Sequence, residues 1–401
     1  MTTAGLQSEP PLPPLPLKAL PDRIDTAVIG GGIAGCAVAF ELARRGVEVA
    51  VLEAGDLAAM ASGANSGSLH AQIPMEPFLL EGEAWVRGFA STTRLLAASI
   101  ELWRGLEALL ETPLEVSLKG GLLVAGSEAQ LAAMARKVAL ERSLGLDSHL
   151  LGQSELGEVA PYLAPGLAGA AFCAQEGKAS PLLAGPAFAA AARRKGAQVH
   201  PFTPVRTISE AGSGYRLETT RGVLLARRVV IATGADAGRT ASLLGLDLPL
   251  WGEPIQASIT EPVAAIIPHL VYFAGDKLTL KQTASGGLLI GGGWDARLDG
   301  RGRPTVDGGN LAQNLAVAAR VVPAVARARL LRSWPGLVNA NADWRPVLGP
   351  VPGRPNLHFL CFPWMGFTAA PICARLVAQA IVGEPPDLPI EEFSIARYGA
   401  G

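Results

Sequence analysis

Gly30-Gly31-Gly32-Ile33-Ala34-Gly35 stands between an apolar stretch, Asp25 to Ile29, and a helix-favouring run that closes at Gly46. No other feature of the 401-residue chain restricts its fold as strongly. Gly30 permits a tight strand-to-helix turn, Gly32 leaves the backbone bare for a pyrophosphate to approach, and Gly35 lets the helix lie close on the sheet. Unpaired amides and the positive end of the helix dipole then face that diphosphate. The periodicity puts Glu41, Arg44 and Arg45 on the wet side of the helix. Glu48 to Glu53 reads as a second strand, giving a β-α-β unit whose strands can only pair in parallel. Glu53 falls where a carboxylate accepts both ribose hydroxyls, and its charge repels a ribose phosphate, which disfavours NADP. A glycine-rich bend in an unrelated α/β protein would lack this ordered context.

The turn alone does not separate FAD from NAD; the residues after it do. Ser62-Gly63-Ala64-Asn65-Ser66-Gly67 comes straight after Glu53, where a classical dehydrogenase continues into a third Rossmann strand. Small hydroxyl and amide side chains there can reach phosphate and the edge of a flavin ring. Val229 to Ala235 supplies a further strand ending in glycine, and no second G-x-G-x-x-G follows a strand. Phe359 to Phe362 reads as a strand, Pro363 to Phe367 as a turn, and a helix begins near Thr368. Its amino end would stabilise the negative charge that builds at the pyrimidine edge of a reduced flavin. The expected fold is α/β: a Rossmann-type, glutathione-reductase-like FAD-binding domain with a second, mixed-sheet substrate domain inserted. Residues 1–24 form an extended proline-rich arm. The FAD-binding domain takes 25–80, 151–235 and 330–401, and the substrate or partner domain takes 81–150 and 236–329. A long helix is expected from about Glu83 to Leu110, and a strand pair around Val205 to Ile208 and Tyr215 to Thr219.

With 34 basic and 35 acidic side chains the formal net charge is -1, so there is no electrostatic case for nucleic acid or an anionic membrane. No run of about twenty uninterrupted apolar residues marks a membrane span. The first twenty-odd residues lack the basic start and apolar stretch of a secretion signal, which points to the cytoplasm. Cys36, Cys173, Cys361 and Cys373 are scattered and form no C-x-x-C pair, so no metal or iron-sulfur site is expected from this chain alone. FMN or an iron-sulfur centre could enter only with partner subunits.

With these residues in place, the chain resembles the D-amino-acid oxidase superfamily, in its glycine and sarcosine oxidase branch, from about Asp25 to the last helix. Gly63 to His70, Glu176-Gly177-Lys178 and Leu280-Lys281-Gln282 look like β subunits of bacterial opine oxidases and one of the subunits of hydrogen cyanide synthase, which are similar to heteromeric proline dehydrogenase β. The resemblance implies that Gly30, Gly32, Gly35, Glu53, Ser62, Asn65 and Ser66 contact FAD. It adds Val205 at the adenine and Met365, Gly366, Phe367 and Thr368 at the pyrimidine side. Three departures matter. Val338 stands where glycine-oxidase-like members carry an arginine that clamps the substrate carboxylate, and Trp364 stands where they carry a second one. Asn65 replaces the flavin-linking histidine of some relatives, and no cysteine follows the Trp334 segment, which implies non-covalent FAD.

Amine oxidation by a flavin needs the substrate Cα–H held near N5, so that hydride leaves as the nitrogen lone pair forms an imine. With both arginines absent, Lys281, Arg297, Arg345 and His70 remain as candidate substrate-side groups, with Tyr272 read as core or second-layer. The expected function is FAD-dependent oxidation of an opine or imino acid by a β subunit working with redox partner subunits. A self-sufficient amine oxidase using oxygen, and a flavin-bearing non-catalytic subunit, are the alternatives.

Overall fold

The computed structural model describes residues 18–399, so the expected arm lies outside the described residues as far as residue 17. Strand β1 spans Arg23–Ile29, helix α1 Ile33–Ala43 and strand β2 Val49–Leu52. β1 and β2 pair in parallel, Ala27 beside Ala50 and Ile29 beside Leu52. On its other edge β1 pairs in parallel with Gly222–Ile231, which in turn lies parallel to Arg354–Cys361. Strand Gln198–His200 extends the sheet beyond β2. Its central strands bury apolar residues on both faces, Val28, Val51 and Val230 on one and Ala27, Ala50 and Val229 on the other.

α1 is buried nearly all round, between the sheet, helix Pro181–Arg194 and the C-terminal helix Gly366–Val382. That environment corrects one expectation. Glu41 is only 4% exposed, and its carboxylate is held by Arg44 at 2.8 Å, by Arg45, and by Arg375 at 3.8 Å. A carboxylate between packed helices persists only with such partners.

The second sheet runs in the order Leu330–Ala340, Trp251–Pro262, Gly287–Asp295, Thr279–Gln282, Leu270–Phe273, Gly121–Ala125, Gly169–Cys173, Ser148–Gly152. It is mixed: Leu270–Phe273 is parallel to Gly121–Ala125 and the other pairings are antiparallel. Sheet membership divides the chain differently from the expected boundaries. Gly169–Cys173 and Leu330–Ala340, expected with the first domain, hydrogen-bond into the second sheet. The long helix starts at Met75, is kinked at Gly82, and runs to Leu110. Its Phe89, Leu96, Ile100 and Trp103 join the core around α1 and the C-terminal helix, although 81–150 was expected in the second domain. An apolar run or stripe shows that a segment is buried; only pairing shows against what.

Among the described glycines, an added Cβ would come nearest to backbone at α1. A Cβ added to Gly35 would lie 1.9 Å from the Gly30 carbonyl oxygen, a backbone atom with no freedom to move. Gly35→Ala is therefore expected to cost about 1–3 kcal/mol or more, read by urea unfolding. A change below about 0.5 kcal/mol would mean the helix does not rest on the turn.

Candidate active site

One cavity of about 1490 Å³ runs from the glycine turn to the seam between the two sheets. Gly30, Gly32, Glu53, Ser62, Asn65, Ser66, Val205, Met365, Gly366, Phe367 and Thr368 all line it; Gly35 instead sits beneath the turn. At the nucleotide end Gly30 has φ +108°, and a Cβ there would strike the Ala232 carbonyl oxygen at 2.4 Å. A Cβ on Gly32 would come within 3.0 Å of Ser62 Oγ, the atom that accepts the Ile33 amide at 2.9 Å. Glu53 spans the turn, accepting the Gly31 amide at 2.6 Å and the Gly55 amide at 2.7 Å. A bare backbone, the start of a helix and a fixed carboxylate beside them fit the diphosphate and ribose of an adenine dinucleotide.

Further along, the 62–73 segment is fixed by side chains. Asn65 braces its own loop, donating to the Ser62 carbonyl at 2.6 Å and accepting the Gly67 amide at 2.8 Å. Thr368 Oγ1 accepts the His70 amide at 2.9 Å and donates to the Ser68 carbonyl at 3.1 Å. The Thr368 carbonyl accepts Ser99 Oγ at 2.6 Å and Trp103 Nε1 at 2.9 Å, which pins the start of the C-terminal helix to the long helix. Behind the loop, Lys281 donates to Ser66 Oγ at 2.8 Å and to Ser68 Oγ. Burial, reinforced by the charge of Lys178, holds its amine well below the usual lysine range.

His70 faces the cavity with Nδ1 2.7 Å from the Tyr272 hydroxyl. Burial, with the charge of Lys281 adding to it, pushes the imidazole down to about 3. Burial pushes the Tyr272 phenol well above its usual 10, and Glu176 acts in the same direction. Glu176 is fully buried and accepts the Ala71 amide at 2.6 Å, the Gln72 amide at 2.8 Å and Gln72 Nε2 at 2.9 Å. Two residues outside the expected site complete the wall: Trp344 and Trp364 stack at 4.9 Å with planes 20° apart. No spacing in the sequence marks that pair, because separate turns bring the two rings together.

The structure does not bring every candidate here. The Arg297 side chain is 74% exposed and pairs with Asp307, outside the cavity lining. Arg345 is tied to Glu392, through its carbonyl at 2.9 Å and its carboxylate at 3.1 Å. Their charges are spent on these partners, which the sequence could not reveal.

The family model described as FAD dependent oxidoreductase, DAO, matches residues 25–380. The chain belongs to the DAO family of FAD-dependent oxidoreductases. It is similar to glycine oxidase of Geobacillus kaustophilus (strain HTA426), 30% identical over 394 residues, covering 94% of this chain and 97% of that one. One of the opine oxidase subunits of Rhizobium meliloti is 29% identical over 94% of this chain and 98% of its own length. The crystal structure of glycine oxidase from Geobacillus kaustophilus matches with a TM-score of 0.83 at 28% identity, covering 94% of this chain and 99% of that one. FAD is thus the cofactor of this DAO-family enzyme, and the cradle at the glycine turn fits its nucleotide half. Among the described residues no helix is long and apolar enough to cross a membrane.

Two outcomes are expected. Glu53→Arg should raise the FAD dissociation constant at least about tenfold, measured by fluorescence titration, because a donor replaces the ribose acceptor. Unchanged affinity would remove Glu53 from the cofactor site. His70 has a folded value of about 3 against about 6.5 when unfolded. Above pH 6.5 both states are neutral; below it the unfolded state takes up a proton the folded state refuses, so stability falls as pH drops toward 3. In His70→Asn the slope of melting temperature against pH over that window should be shallower, and an identical slope would contradict a neutral His70.

Proposed function

We propose that this enzyme oxidises the C–N bond of an amino-acid-like secondary amine, an opine or imino acid, as the β subunit of a multisubunit dehydrogenase. The observation that carries the reading is a single cavity joining the dinucleotide cradle to a floor built on the hydrogen-bonded pair His70 and Tyr272. His70 and Tyr272 line that floor, hydrogen-bonded at 2.7 Å, and burial displaces both toward their neutral forms. A neutral amine, the form able to lose hydride, is favoured over an ammonium against such a floor. When bound, FAD supplies the two-electron acceptor for this dehydrogenation.

The relatives support the class of substrate, since those reported are a glycine oxidase and a component of an opine oxidase. The second is named as a subunit, which supports partner chains. Non-covalent FAD is supported by Asn65, whose amide is committed within its loop. It is supported too by the cavity-lining thiols: burial pushes Cys361 up to about 12 and Cys373 well above its usual 9, so neither is a ready nucleophile. A stand-alone oxidase is the second reading, favoured by the glycine oxidase relative.

Anaerobic addition of octopine, nopaline, proline, hydroxyproline, sarcosine and glycine to the FAD-loaded protein separates these readings. Rapid flavin bleaching by a secondary amine, with little peroxide formed in air, is the expected result. Vigorous peroxide production without partners would replace the subunit reading by the stand-alone oxidase. No bleaching by any amine would leave a flavin-bearing subunit without amine chemistry.

A further inference from the structure

Two lysines are almost wholly buried among the described residues, Lys137 and Lys281. Lys137 has its counter-charge in Glu141. Lys281 has no carboxylate within ion-pairing distance among the described residues; its Nζ donates to Ser66 Oγ at 2.8 Å and to Ser68 Oγ. A charge buried without an opposite charge is costly and persists where something else offsets it. The neighbouring cation makes the cost larger. Lys178, on the short strand that pairs with Ser68–Leu69, repels Lys281, while its own Nζ is committed to the Gln282 carbonyl and its acid neighbour is Glu115.

Lys281 stands outside the cavity lining, whereas Ser66 and Ser68 belong to it. Both serines sit on the loop that starts at Ser62, bonded to the Ile33 amide, and ends at His70, bonded to Thr368. A cofactor anchored at the glycine turn and reaching toward the C-terminal helix passes these hydroxyls. Each serine oxygen that accepts from Lys281 still has its own O–H to donate. The two oxygens lie 3.5 Å apart, so one hydroxyl can serve the other, and neither has a further acceptor among the described residues. At least one O–H is therefore left to donate into the cavity, strengthened by the amine behind it.

We propose that Lys281 raises the reduction potential of the bound flavin, its positive charge reaching the ring through the Ser66 and Ser68 hydroxyls. Lys281 is then a positioning residue, since the serines stand between it and the cavity. Hydride reaching a neutral ring brings two electrons and one proton, so one net negative charge appears in the cavity. That charge offsets the buried ammonium, which has no such partner while the flavin is oxidised. An interaction stronger in one state than in the other shifts the equilibrium between them toward the first. Without that negative charge the amine is held well below the usual lysine range, and its arrival favours the protonated form. The inference concerns the cofactor alone and holds whichever amine is oxidised, so its test needs no substrate.

The test is slow anaerobic reduction of the FAD-loaded protein in equilibrium with a reference dye, followed by visible absorbance. In Lys281→Met the equilibrium constant for two-electron reduction should fall at least about tenfold from the wild-type value, about 30 mV for such a couple. Lys281→Gln keeps a donor toward the serines but carries no charge, and should lose as much. A constant within about twofold of wild type in either FAD-loaded variant would overturn the proposal. A loss in Lys281→Met that Lys281→Gln restores would overturn it too, because hydrogen bonding and not charge would then set the potential. Should neither variant retain FAD, the wild-type protein decides: its flavin should be more easily reduced than free FAD, and one no easier to reduce would sink the inference.

Discussion

The Gly35 backbone resting on the Gly30 carbonyl is the contact from which the rest of the site is set out. Because Gly35 has no Cβ, α1 can rest on the Gly30–Gly32 turn that follows β1, with Ile33 and Ala34 lining the cavity. Ser62 can then reach the Ile33 amide, and Glu53 can reach across to Gly31. The neighbouring strand, ending at Ile231, closes the turn through the Ala232 carbonyl. A side chain at Gly35 would push the helix off the Gly30 carbonyl, and one at Gly30 would strike the Ala232 carbonyl, so either would disturb the turn.

A second constraint fixes the segment beyond the glycine turn. Four consecutive amides, from His70 to Ile73, donate to side chains carried by other elements: Thr368, Glu176 twice, and Glu141. Glu141 is fully buried and paired with the equally buried Lys137, which also reaches Gln72 at 2.9 Å. Buried ion pairs contribute little net stability, since desolvation offsets much of the attraction. Here their effect is geometric, because an irregular stretch beside a short strand, Ser68–Leu69, is held as firmly as a sheet would hold it.

The sequence made the nucleotide end legible because its signal is local: a strand, three spaced glycines, a helix and an acidic residue lie in one short stretch. The C-terminal turn was legible for the same reason, through Met365 to Thr368 at the start of a helix. The substrate end was not. Arg297 and Arg345 looked available as isolated cations, but Asp307 and Glu392 take them. Glu253 and Val338 become neighbours only through strand register, and Trp344 meets Trp364 only through two turns. Domain boundaries were hidden in the same way: Gly169–Cys173 and Leu330–Ala340 have no local mark that assigns them to the second sheet. Long-range pairing, not residue type, decides such positions.

The central claim is that backbone amides at the start of α1 hold the diphosphate of FAD. Spectral titration of the flavin-free protein with FAD and with FMN tests it most directly. FMN offers the same ring but lacks the adenosine and the second phosphate. FAD should bind at least about a hundredfold more tightly. Equal affinities for the two flavins would contradict the claim.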